Sequence, residues 1–87
     1  LSAVLLSPRH EGNESLATQL QDLERTATSG TLDAAERAAA WVEFGLLCEE
    51  QVGKRDRALT AYKSALQLVP DHSEALSLAI DAAILLG

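Results

Sequence analysis

Trp41-Val42-Glu43-Phe44-Gly45-Leu46-Leu47-Cys48, answered across a turn by Ala58-Leu59-Thr60-Ala61-Tyr62-Lys63-Ser64-Ala65 and closed by Pro70, is the stretch that decides the fold. In its first half Ala35, Ala38, Trp41, Phe44, Gly45 and Cys48 recur every three or four residues, which places them along one broad helical face. In its second half Ala58, Tyr62, Ala65 and Leu66 share a face, with Leu59 beside them. Asp33, three residues before Glu36, is a helix-start signal of the capping-box kind, and Gly53 and Pro70 are stops. The spacing therefore predicts a long helix from Asp33 to about Val52 and a second from about Asp56 to Val69. Small residues on facing sides predict that the two lie close together.

Working outward, Leu16, Leu20, Leu23 and Ala27 form one apolar stripe between Asn13 and Thr28, as expected of a helix with a single buried side. Gly30 follows where a left-handed terminating residue is expected. Beyond Pro70, Asp71 and Glu74 repeat the start signal, with Asp71 the expected cap and His72 expected to be exposed. The helix Ser73 to Leu86 that follows has only Glu74, Ser77 and Asp81 as marked polar relief, and a helix so apolar is expected to be covered on more than one side. At the other end Leu1 to Leu6 is an apolar helical stub that Pro8 does not continue.

Composition points the same way. Of 87 residues 47% are hydrophobic and 3% aromatic, with Ala and Leu dominating, a mixture suited to close-packed helices. The expected class is all-α, a single domain with about four helices plus the N-terminal stub. Seven Lys and Arg against thirteen Asp and Glu leave a net charge of -6, which repels a phosphate backbone and argues against nucleic acid as a partner. No apolar run approaches the roughly 20 residues of a membrane span, so membrane insertion is not expected. The chain opens on Leu1 with no intact signal peptide, and is expected to be a piece of something longer.

Cys48 is alone and forms no internal disulfide; on an apolar face with Trp41 and Phe44 it is read as a small buried hydrophobe. His10 and His72 are too far from it in sequence to suggest a metal site, and each is read as a solvated loop or helix-start residue. Lys54, Arg55 and Arg57 lack the glycine-rich cradle of a phosphate site. No catalytic, cofactor or metal residues are assigned, and an enzyme is not expected.

The order Trp41, Phe44, Gly45, Cys48, then Ala58, Tyr62, Ala65 and Pro70 resembles the tetratricopeptide repeat, a helix hairpin with aromatic and glycine positions on its first helix and alanine, aromatic, alanine and proline on its second. Residues 33–70 match best, and 71–87 look like the first helix of a following repeat. Cys48 stands where an aromatic is usual, Arg55 stands where another is common, and the turn at Val52-Gly53 carries one residue more than the repeat's usual length of about 34. The resemblance implies an α-solenoid fragment of antiparallel helix hairpins.

It also implies a function, binding another protein's peptide or helix in a concave groove. Carried over residue by residue, that groove comprises Ala39, Val42, Leu46, Glu49 and Glu50 on the long helix and Glu74, Ser77, Asp81, Ile84 and Leu85 on the last. Its apolar floor and acidic rim suit a partner with apolar side chains and some basic residues. The second reading is a structural homodimerisation domain, a helical bundle completed by a second copy through Leu76, Ile80 and Ile84.

Overall fold

A computed structural model describes residues 16–87; the stub Leu1 to Leu6 and His10 lie outside them. The described residues form four helices and no strand. α1 covers 16–27, α2 Ala34–Leu47, α3 Arg55–Leu68 and α4 Ser73–Leu86. Asp33 starts α2 as expected: its backbone is extended and its Oδ1 accepts the Glu36 N–H at 2.9 Å.

At Cys48 the pitch changes. Cys48–Val52 is a π-helical turn, so the run foreseen to Val52 is helical throughout but wider at its end. Gly53, at φ 76°, closes it, its N–H donating to the Cys48 carbonyl, which also accepts the Lys54 N–H at 2.9 Å.

Two of the expected helix-end assignments are corrected. Gly30 does not have a positive φ, which among the described glycines belongs to Gly53 and Gly87. Instead the Thr28 hydroxyl donates to the Glu24 carbonyl at 2.9 Å, and Arg37 Nε reaches back from α2 to the Ala27 carbonyl at 2.9 Å. At α4 the cap is His72, not Asp71: His72 Nδ1 accepts the Ala75 N–H at 3.2 Å. The cause is the preceding turn. The His72 N–H donates to the Val69 carbonyl at 3.0 Å, so Pro70 and Asp71 become the turn's central residues and His72 is the first one free to cap. His72 is accordingly half-buried rather than exposed.

α3 is the middle element, packed along α2 on one side and α4 on the other. At the α2–α3 crossing Gly45 lies beneath the Tyr62 ring. A methyl group built on Gly45 would stand 2.8 Å from Tyr62 Cδ1 and 2.9 Å from Cζ, with Cε1 nearer still, so only glycine allows this approach. Around it Ala58, Ala61 and Ala65 of α3 and Ala79 and Ala82 of α4 are buried, and Tyr62 and Cys48 are the largest wholly enclosed side chains. Ala38 and Val42 of α2 meet Ala65 and Ala75 in a second apolar cluster. Trp41 is half-buried, touches both clusters and meets Phe44 edge-on at 5.7 Å. Leu20 and Leu23 fasten α1 to the larger cluster.

Candidate functional site

α4 divides into two unlike sides. Ala75, Ala79 and Ala82, spaced 4 and 3 apart, turn inward and are buried against α3 and α2. Small side chains on the inner side bring the helix close to its neighbours and leave the large ones outside. Leu76, Ile80 and Ile84, spaced 4 and 4 apart, are 47%, 51% and 70% exposed, and Leu85 and Leu86 extend the apolar surface at the C-terminal end. The expectation that α4 is covered on more than one side is corrected: among the described residues it is covered on one. A run of exposed large aliphatic side chains on one helix is unusual for a solvated surface and characteristic of contact surfaces.

Beside the stripe runs a polar row, Glu74, Ser77 and Asp81, spaced 3 and 4 apart and exposed. α4 carries no Lys or Arg, its last turn included. The ion pairs among the described residues, Arg25 with Asp22 and Arg55 with Glu49, both at 3.2 Å, lie on other elements and leave Glu74 and Asp81 without a cationic partner.

The groove positions carried over from the repeat differ in exposure. Ala39 and Glu50 are exposed on α2 and the π turn, and Ser77 and Asp81 on α4. Val42 is buried in the cluster with Ala38, Ala65 and Ala75, because the start of α4 comes down over it. Leu46 is half-buried and lines a cleft of about 390 Å³ between α1 and α2, with Leu23 and Leu47 and the exposed Asp22 and Glu43. Ser77 and Asp81 do not line that cleft.

Glu49 is engaged within the fold. From within the π turn it accepts the Tyr62 hydroxyl at 2.6 Å through Oε1 and Arg55 Nε at 3.2 Å through Oε2. Burial, then the hydrogen bond to the Glu49 carboxylate, pushes the Tyr62 phenol well above its usual value. Burial likewise raises the Cys48 thiol, which outweighs the opposing pull of Arg57 and keeps the sulfur in its unreactive protonated form. Arg57 lies over the Phe44 ring at 5.7 Å, so two of the three basic residues of the turn are engaged within the fold.

Among the described residues no group of three or more His, Cys, Asp and Glu is arranged to hold a metal ion, and no helix is long and apolar enough to cross a membrane. No protein-family model, curated protein or solved structure matches the chain.

Proposed function

We propose that this chain is a protein-interaction module, a tetratricopeptide-like set of helix hairpins that receives a helix from another protein on the outer side of α4. The observation that carries the reading is the stripe Leu76, Ile80 and Ile84, open to solvent on a helix whose opposite side is fully packed. Because these side chains are 47%, 51% and 70% exposed, covering what remains of them contributes about 1–2 kcal/mol each, which favours association and offsets part of its entropic cost. The hairpin of α2 and α3, with Gly45 under Tyr62 and alanines where the helices cross, supports the repeat-like part of the reading.

The same stripe favours a second reading, homodimerisation through α4, because a self-complementary aliphatic row packs well against its own copy. Light scattering on a sizing column at several concentrations separates the two. A monomer at every concentration supports reception of a different protein. A dimer abolished by Ile84→Asn supports the second reading, and a dimer indifferent to that substitution overturns it by assigning self-association to another face.

A further inference from the structure

The interaction reading does not say which groups of α4 select the partner, and the two rows on α4 constrain them. The aliphatic row from Leu76 to Ile84 spans about 12 Å of helix axis, a little over two turns. An extended peptide lying across it would leave much of the row uncovered, whereas a second helix laid alongside, with axes about 8–10 Å apart, covers it with side chains spaced 3 and 4. The acidic row lies to one side of it, with Ser77 and Asp81 one position after Leu76 and Ile80 and Glu74 farther round the helix, about 120° from the centre of the stripe; the carboxylates of Glu74 and Asp81 have no cationic partner among the described residues. The C-terminal end of α4 adds the negative end of the helix dipole, with no basic side chain in the last turn to offset it. The chain as a whole carries -6. A second copy would bring the same two carboxylates, the same bare C-terminal turn and the same net charge against themselves.

We infer that the occupant of the α4 face is a basic amphipathic helix of another protein, its aliphatic stripe on Leu76, Ile80 and Ile84 and its flanking Lys or Arg residues against Glu74 and Asp81. The inference rests on the interaction reading above and adds the partner's charge and the places where that charge is met. Exposed charge pairs contribute a few tenths to about 1 kcal/mol each, so two of them set a preference of about twofold to thirtyfold over an uncharged helix, and more over an acidic one. Apolar contact supplies the affinity, and charge supplies the choice among partners.

The test uses the full chain and two synthetic peptides of about 15 residues. Both carry the same Leu and Ile stripe at spacings of 3 and 4; the flanking positions are Lys in one and Glu in the other. Binding is followed by calorimetric titration at low and high salt. The lysine peptide is expected to bind several-fold to about thirtyfold more tightly than the glutamate peptide, with the gap narrowing as salt rises. Glu74→Lys with Asp81→Lys is expected to reverse the preference; both positions are exposed, and circular dichroism verifies the fold. The control, Glu24→Lys with Glu43→Lys, makes the same change in net charge away from α4 and is expected to leave most of the preference in place. Equal loss in the control pair overturns the inference, since net charge alone would then explain it. Equal affinity for the two peptides also overturns it while leaving the interaction reading intact. No binding of either peptide to a monomeric chain overturns both, and a dimer through Ile80 and Ile84 that neither peptide displaces replaces the foreign helix with a second copy.

Discussion

Replacing Gly45 by alanine sets two effects against each other, and the packing at the α2–α3 crossing decides which wins. Inside a helix alanine is favoured over glycine by about 1 kcal/mol, so a solvent-facing Gly45 would make the variant more stable. The new methyl group would instead stand 2.8–2.9 Å from Tyr62 Cδ1 and Cζ, well inside contact distance. Relief requires the Tyr62 ring to move, and the ring has little freedom. It is wholly buried, and its hydroxyl is held by the Glu49 carboxylate at 2.6 Å. Overpacking a filled core costs about 1–3 kcal/mol, and drawing the phenol off Glu49 forfeits about 1.5–3 kcal/mol more if the ring swings far enough. The net expectation is a destabilisation of about 1–3 kcal/mol, which for a domain of this size lowers the melting temperature by roughly 5–15 °C. Urea unfolding followed by far-ultraviolet circular dichroism measures it directly. The same substitution in a Tyr62→Leu background supplies the control: with the ring gone, the helix preference of alanine should reassert itself and the coupling between the two sites should exceed about 1 kcal/mol. A Gly45→Ala chain as stable as the wild type, or more so, would refute the close crossing and with it the pairing of α2 with α3 described above.

Trp41→Ala should cost about 2–3 kcal/mol in the same assay, because the half-buried indole touches both clusters and Phe44; a loss under about 1 kcal/mol would mean that it is essentially solvent-facing. Tyr62→Phe should cost about 1–2 kcal/mol near neutral pH by removing the hydroxyl that Glu49 accepts. The fold favours the neutral phenol, so this contribution is complete below the unfolded value of about 10 and is lost as pH rises above it toward the higher folded value. The gap between wild type and Tyr62→Phe should therefore narrow above about pH 10, and a gap constant into the alkaline range would contradict the buried hydrogen bond. His72→Asp retains an acceptor for the Ala75 N–H and adds a negative charge at the positive end of α4, so it should stabilise the chain by about 0.5–1 kcal/mol; His72→Ala should destabilise it by about as much.

The helices were legible because burial imposes a period, and the chain shows it plainly at Leu16, Leu20 and Leu23, at Phe44 and Cys48, and at Ala58, Tyr62 and Ala65. Asp33 was legible as a cap because nothing downstream competes for that role. Asp71 was not, since the turn over Val69 to His72 forms a hydrogen bond that a reading of single helix starts leaves out. The π turn was visible only as a surplus residue near Val52-Gly53, without indication of where the surplus would be absorbed. On the candidate surface, the stripe of Leu76, Ile80 and Ile84 could be read from spacing alone. The fates of Val42 and Glu49 could not, because they depend on where α4 and α3 come to rest: one is covered by the start of α4, the other is claimed by Tyr62 and Arg55.

The widened turn at Cys48–Val52 has a consequence for how this sequence can change in length. One residue added within an α-helix rotates every later side chain by about 100°, which would carry an inward-facing residue out to solvent. Here the surplus is absorbed after Cys48 and discharged at Gly53, so Ala58, Tyr62 and Ala65 still arrive facing α2. Single-residue insertions and deletions should be tolerated between Glu49 and Lys54, at the expense of the Glu49 bridge, and rejected between Ala38 and Cys48 or between Ala58 and Ala65. Natural variants of this chain should record that boundary as gaps confined to the turn.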